Sequence, residues 1–242
     1  LYTIETKIYD IIGTMMTMSE KRKSICLVDD ESNIRRLVAY DLKSANYDVY
    51  SFENGQDALN SNEDFDAYIV DWMMPVMDGL TLVKKLREQG DSHLIIMLTA
   101  KNEEEDLIEA FEAGVDDYLS KPFSSRELLV RLKTHLSRLQ NQNNNSIQLA
   151  KLHVNPIKRE VKFENESIFL TKVEFDLLIL LGREKGNVLS RDQILNDLWG
   201  FEYDGDTRIV DVHISKLRNK LSHTQVEIVS LRGVGYRLEV IE

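Results

Sequence analysis

Residues 67–79 read Ala67-Tyr68-Ile69-Val70-Asp71-Trp72-Met73-Met74-Pro75-Val76-Met77-Asp78-Gly79. A short apolar run passes without a polar break into a carboxylate, and a proline soon follows. Continuous apolar runs of this length mark a strand buried on both faces. The pattern recurs on either side: Ser24–Val28 runs into Asp29-Asp30-Glu31, and Leu94–Leu98 runs into Thr99. Tyr47–Ser51 and Asp117–Ser120 are shorter strand-like pieces. Helical spacing fills the intervals at 32–45, 55–60, 78–88, 103–113 and 125–139. Ile34, Leu37, Val38 and Leu42 carry it in the first, and Leu128, Leu129, Leu132 and Leu136 in the last. Strands alternating with helices predict an α/β fold with a doubly wound, five-stranded parallel sheet and right-handed crossovers.

The rest of the chain reads differently. Asn141–Asn145 is a polar break, and short alternating segments follow at 148–154, 160–163 and 167–170. Three helices are expected after them, at Thr171–Glu184, Ser190–Trp199 and Thr207–Leu221. Thr171 precedes Glu174 by three residues and Ser190 precedes Gln193 likewise, the spacing of reciprocal N-terminal caps. Val226–Val229 and Tyr236–Val240 read as a hairpin around Arg232-Gly233-Val234-Gly235. The expected division is a leader at 1–22, a first domain at 23–138, a linker at 139–146 and a second domain at 147–242. The leader lacks the basic start of a signal peptide and carries acidic Glu5 and Asp10. Translation is expected to begin near Met18.

Composition narrows the function. The 242 residues contain one cysteine, Cys26, which excludes a disulfide framework or a cysteine zinc cluster. No apolar run is long enough to span a bilayer, so no membrane partner and a cytoplasmic location are expected. Net charge is −11, which argues against indiscriminate coating of nucleic acid. The charge is uneven: residues 1–140 hold 16 basic and 26 acidic side chains, whereas 207–237 holds six basic against Asp211 and Glu227. An acidic half joined to a locally basic stretch suggests two tasks.

In an open parallel sheet, ligands bind beyond the carboxyl ends of the strands. Asp29, Asp30, Asp71 and Thr99 are expected to meet there, with Lys121 after the fifth strand. Three carboxylates repel one another unless a cation intervenes, and hard oxygen donors suit Mg²⁺. Metal on one side and lysine on the other frame a tetrahedral dianion, with Asp71 as nucleophile. Singly, each residue has a plainer reading as a helix cap or a solvated side chain.

The combination resembles a response-regulator receiver domain. Leu27–Glu31, Asp71–Gly79, Met97–Ala100 and Asp116–Phe123 carry the likeness, over residues 23–138. The resemblance implies a flavodoxin-like receiver in which Asp71 accepts a phosphoryl group from a sensor histidine kinase. It implies Mg²⁺ on Asp29, Asp30, Asp71 and the carbonyl of Met73, with Thr99 and Lys121 on the phosphoryl oxygens. Tyr118 becomes an aromatic switch, and the Lys121–Pro122 bond is expected to be cis. The only catalysis implied is the receiver's own phosphorylation and dephosphorylation. A Mg²⁺-dependent phosphatase using Asp71 is the competing reading. Such enzymes commonly carry a second acid two residues after the nucleophile, where this chain has Met73. A regulator that binds DNA without phosphorylation is the third.

In the second domain, Ile209, Val210, Ile214, Leu217 and Leu221 form a core face of the helix at 207–221. Arg208, His213, Ser215, Lys216 and Lys220 are left for the outside. A basic-faced helix behind a helix and loop suits the major groove. This half resembles the winged helix-turn-helix effector of OmpR/PhoB-type regulators, through Leu170–Phe175, Leu189–Gln193, Asp211–Arg218 and Arg232–Arg237. The likeness makes 207–221 the recognition helix on double-stranded promoter DNA. Ser215, Lys216 and Lys220 become base-reading candidates, with Arg208 and His213 on phosphates. Arg218 is assigned to DNA or to an internal pair, and Arg232 to the wing. The loop 200–206 falls where this family meets RNA polymerase. A homodimer is implied on phosphorylation, through Asp117, Glu127 and Arg131. Leu107 departs from the pattern, standing where a basic residue is usual, and predicts a dimer that is either weaker or rests more on apolar contacts.

Overall fold

The computed structural model describes residues 22–100, 104–137, 145–201, 203 and 207–241. The expected leader, apart from Arg22, lies outside the described residues. So does the expected linker apart from Asn145 and Ser146.

Five parallel strands form the first sheet: β1 (Ser24–Val28), β2 (Asp48–Phe52), β3 (Ala67–Asp71), β4 (Leu94–Thr99) and β5 (Asp117–Ser120), in the order β2-β1-β3-β4-β5. β1, β3 and β4 are buried at every position, as their unbroken apolar runs require. Around them lie α1 (Ser32–Ser44), α2 (Gly55–Leu59), α3 (Gly79–Glu88), α4 (Glu104–Ala113) and α5 (Ser125–Ser137). Alternation along each strand divides the core in two. Ile25, Leu27, Ile69, Ile96 and Leu98 pack with α1 and α5 through Val38, Leu42, Leu128 and Leu132. Cys26, Val28, Val70 and Met97 pack with α3 and α4 through Val83, Leu86 and Phe111.

The order of winding reverses between β1 and β3, so a crevice opens at their carboxyl ends. Asp29 and Asp71 stand there because both strands run out into acids. Gly79, at the start of α3, passes so close to β3 that a Cβ would lie 2.1 Å from the carbonyl oxygen of Asp71. Only glycine permits that approach.

The second domain opens with a four-stranded antiparallel sheet: β6 (Ile147–Leu149), β7 (Leu152–Asn155), β8 (Glu160–Phe163) and β9 (Glu166–Ser167). The single strand expected at 148–154 is two strands. Leu149 pairs with Leu152, and Ala150 turns the chain at φ 51°. The turn carries no glycine, asparagine or proline, so the usual sequence signals are absent. Next come α6 (Lys172–Arg183), α7 (Arg191–Trp199) and α8 (Arg208–Leu221), then the hairpin β10 (Val226–Leu231) and β11 (Gly235–Val240). Both reciprocal caps form: the backbone N–H of Thr171 donates to Glu174 at 2.8 Å, and that of Ser190 to Gln193 at 2.8 Å. Gly235 crosses Leu189 where a Cβ would meet the Leu189 carbonyl at 1.9 Å, tying the hairpin to the start of α7. Among the described residues, no helix is long and apolar enough to cross a membrane.

Candidate functional site

At the carboxyl end of the parallel sheet, oxygens of Asp29, Asp30 and Asp71 lie within 4.8 Å of one another. Asp29 is fully buried and Asp71 is 5% exposed, while Asp30 faces solvent. Lys121 reaches across from the end of β5, with Nζ 2.9 Å from Asp29 and 3.0 Å from Asp71. Glu31 stands further off, at 3.6 Å. Lys121 is held by its own backbone, whose N–H donates to the Thr99 carbonyl at 2.7 Å, and its bond to Pro122 is cis. Thr99 itself is buried at the end of β4.

Burial pushes the Asp71 carboxyl above its ordinary value. Lys121 and the backbone N–H of Met73 oppose that rise, and neighbouring Asp29 adds to it. Burial also works against the charge of Lys121, but the two aspartates outweigh it and the ammonium is held above its usual range. One lysine thus faces three carboxylates. A small divalent ion fits this surplus of hard oxygen donors, and Mg²⁺ meets the requirement through Asp29, Asp30 and Asp71 with water completing its shell. Met73 is well exposed beside them. A carboxylate flanked by a cation site and an ammonium can take a phosphoryl group, because both partners stabilise added oxyanion charge.

The second candidate surface is α8. Ile209, Val210, Ile214, Leu217 and Leu221 are buried, as the amphipathic pattern requires. His213 corrects that pattern. It is 1% exposed rather than outward, packed on Trp199 at 5.4 Å and Phe111 at 5.5 Å between ring centres. The amphipathic pattern of α8 accounts for one covered side. The helix has two, because the first domain packs on it as well as its own. Neither ring nitrogen of His213 has a hydrogen-bond partner among the described residues, and burial drives its pKa down to about 4.

The remaining basic residues divide. Arg208 and Ser215 are exposed on α8, and Arg232 is exposed at the hairpin tip. Arg218 turns inward, donating to the Ile228 carbonyl and to Ser230 Oγ, both at 2.7 Å. These bonds are the internal pair that the sequence left as one of its two assignments. Lys220 donates to the buried carboxylate of Glu174 at 2.5 Å. Lys216 donates from Nζ to the carbonyl of Phe111, in the other domain, at 2.6 Å.

Residues 25–133 match the response regulator receiver domain, and residues 165–238 match the C-terminal domain of transcriptional regulatory proteins. The alkaline phosphatase synthesis transcriptional regulatory protein PhoP of Bacillus subtilis is 40% identical, over 90% of this chain and 97% of its own length. The transcriptional regulatory protein SrrA of Staphylococcus aureus is 38% identical, over 89% of this chain and 95% of its own. The crystal structure of DrrB, a Thermotoga maritima OmpR/PhoB homologue, superimposes with a TM-score of 0.50 at 29% identity, covering 90% of this chain and 99% of DrrB. The chain belongs to the OmpR/PhoB family of response regulators. A solved RitR variant is similar over both domains, with a TM-score of 0.70 at 29% identity, covering 89% of this chain and 98% of RitR. Like its relatives, this OmpR/PhoB regulator couples a receiver to a DNA-binding domain.

The three residues assigned to the receiver's dimer surface sit together in this regulator, but they contact one another and the second domain. Arg131 bonds Asp117 at 3.1 Å and Glu127 at 2.7 Å, and its guanidinium lies 4.4 Å over the ring of Tyr203. His135 adds a contact to Asp117 at 3.2 Å and an edge-on contact to Trp199 at 6.1 Å. Beside them is Asp116, a residue without an expected role. One of its oxygens accepts from Arg87 and the Ile95 N–H, and the other accepts from the N–H of Val173 in the second domain at 3.1 Å. Nothing in the sequence distinguishes it from its neighbour Asp117. In the loop expected to meet RNA polymerase, Phe201 is 89% exposed, but residues 202 and 204–206 lie outside the described residues.

Proposed function

We propose that this chain is a phosphorylation-switched transcription regulator whose acceptor is Asp71. The domains are assigned as 23–138 for the receiver and 147–242 for the effector. The donor is a phosphohistidine on a sensor kinase. An Asp71 carboxylate oxygen attacks phosphorus, the phosphorus–nitrogen bond breaks, and the imidazole leaves with its electron pair. Lys121 releases part of its hold on Asp71 to meet the new phosphoryl oxygens, and the Thr99 hydroxyl donates to another. Asp29, Asp30, Asp71 and the Met73 carbonyl would hold Mg²⁺, which would supply positive charge beside the transferring group. Tyr118, paired with Met97 across β4 and β5 two residues before Thr99, carries the change to the surface that forms a dimer.

On DNA, Ser215 and Lys216 read bases while Arg208 and Arg232 hold phosphates. Phe201 offers an aromatic anchor to RNA polymerase beside the promoter. The observation that carries this reading is the salt bridge from one buried-side lysine to both Asp29 and Asp71 at a sheet switch point.

The test is intact-mass spectrometry after treatment with acetyl phosphate and Mg²⁺. Wild type gains one phosphate and releases it slowly once the donor is removed with Mg²⁺ still present, whereas Asp71→Asn gains none. Continuous phosphate release over many turnovers indicates a phosphatase instead.

A further inference from the structure

Arg191, Asp211 and Tyr236 form a closed triangle of hydrogen bonds in which α7, α8 and the hairpin meet. Arg191, the first residue of α7, donates from Nε to Asp211 Oδ1 at 2.7 Å and from Nη2 to the Tyr236 hydroxyl at 3.0 Å. That hydroxyl donates in turn to the same Asp211 oxygen at 2.5 Å. Burial, reinforced by the bond to Asp211, pushes the Tyr236 pKa up to about 12, so the hydroxyl keeps its proton. Two guanidiniums also lie over the Tyr236 ring, Arg191 at 4.9 Å and Arg218 at 5.5 Å from its centre. Such contacts are attractive through the negative face of the ring. Arg218 extends the network to the opposite strand, because Ser230, which it bonds, is paired with Tyr236 in the hairpin.

A two-stranded hairpin is marginal by itself, so its direction must be fixed from outside. Val226, Ile228 and Leu238 bury its base in the core of the second domain. Towards the tip the last buried residues are Gly235 and Tyr236, and residues 232–234 beyond them are exposed. The aim of Arg232 is therefore set at Tyr236. Its backbone is held on both sides, since Leu189 and Tyr236 exchange N–H to carbonyl bonds, each at 2.9 Å. Its side chain does something the backbone cannot, which is to fix the hairpin against α8.

Asp211 is otherwise out of place. It follows Arg208 by three residues and precedes Ser215 by four, so the three share one face of α8. A carboxylate on a face assigned to DNA repels phosphates. It is one of two acids in the basic stretch 207–237. Its pair with Arg191 offsets that charge, and its bond from Tyr236 gives it a use: it is the point on the reading helix to which the hairpin is tied.

We propose that Arg191, Asp211 and Tyr236 are positioning residues that lock the hairpin tip at a fixed reach from α8, so that Arg232 and the readers Ser215 and Lys216 engage DNA as one unit. The lock thereby sets how strongly a selected sequence is preferred over a random one. This rests on the reading of α8 and the hairpin as the DNA-binding elements.

The test uses the full chain treated with acetyl phosphate, a labelled duplex that it enriches from random-sequence DNA, and a random-sequence duplex. Tyr236→Phe keeps the ring beside the guanidiniums and removes only the hydroxyl that ties the hairpin to Asp211. Arg232→Ala is made in wild type and in Tyr236→Phe, which closes a double-mutant cycle. Loss of Arg232 is expected to weaken the selected duplex about tenfold in wild type and less than about threefold in Tyr236→Phe. Asp211→Asn gives a second readout of opposite sign. Removing its charge alone tightens every duplex, whereas breaking the lock lowers the ratio of selected to random affinity, by about fivefold. An equal loss of Arg232 in both backgrounds, or equal tightening of both duplexes by Asp211→Asn, overturns the lock and leaves the DNA-binding reading standing. Failure of the treated wild type to enrich any duplex overturns that reading and the lock with it.

Discussion

Lys121 and Asp71 are joined at 3.0 Å, and the same ammonium bonds Asp29 at 2.9 Å, so one cation balances two buried carboxylates. Replacing it by an uncharged side chain leaves those carboxylates to bind a metal without competition. At an effective dielectric of about 20, unit charges 4 Å apart interact by about 4 kcal/mol, which sets a ceiling. Lys121 is partly exposed, so a smaller gain follows. Lys121→Met is expected to bind Mg²⁺ about tenfold tighter, near 1.4 kcal/mol. Trp72, next to Asp71 and buried, reports the titration by fluorescence. The variant should also lose the phosphodonor-dependent change in sedimentation. Weaker Mg²⁺ binding would show that Lys121 organises the site rather than competing within it.

Asp71 is costly to the fold in its ionised form, because burial raises its pKa above the ordinary carboxylate value. In the window between the unfolded and folded values, the folded state binds more protons, so stability falls as pH rises. Above that window the full cost is present. Asp71→Asn is therefore expected to melt about 2–4 °C higher than wild type at pH 7 without metal. The gap should close as pH falls below the unfolded value of 3.8. Added Mg²⁺ should narrow it at pH 7 by stabilising wild type alone. Scanning calorimetry across pH, with and without Mg²⁺, measures both.

The receiver was legible because its physics is local. Strands buried on both faces must be apolar throughout, and they end where the sheet ends, so Asp29, Asp71 and Thr99 announce themselves. Caps at Thr171 and Ser190 were equally readable. The position of α8 against the receiver was not, since a periodicity gives the angle of a buried face but not the number of neighbours. His213 falls beside the core stripe, and only a second packed domain buries it. Lys216 and Arg218 look alike in sequence, yet one reaches α4 and the other folds back on β10. The hairpin at Ala150 lacks any turn residue to mark it.

His213 gives the chain a sensitivity to acid. The imidazole's ordinary pKa of 6.5 falls to about 4, chiefly through burial, with Asp116 and Glu174 opposing and Lys216 assisting. Between those values the unfolded state binds more protons, so this contribution is complete above pH 6.5 and declines as pH drops toward 4. The maximum loss is about 3 kcal/mol. His213→Leu removes the titrating group while filling the space. Urea midpoints of wild type relative to His213→Leu should therefore diverge from pH 6.5 downward, wild type losing more. Parallel curves over that range would place the imidazole in contact with water.

The DNA surface separates residues that hold from residues that read. Arg208 and Arg232 are exposed and assigned to phosphates, which every sequence presents alike. Arg208→Ala and Arg232→Ala should each weaken selected and random duplexes equally. Each should also reduce the slope of log affinity against log salt by about 0.9, the value for one phosphate contact. Lys216→Ala combines two effects, because it removes a base-reading ammonium and also frees α8 from Phe111. Measured with phosphodonor present, only the first remains. The expected loss is then about 1–3 kcal/mol on the selected duplex and much less on random sequence. Equal loss on both would assign Lys216 to the backbone and leave Ser215 as the reader. Measured without phosphodonor, the freed helix should offset part of the loss, so the variant falls closer to wild type in that state.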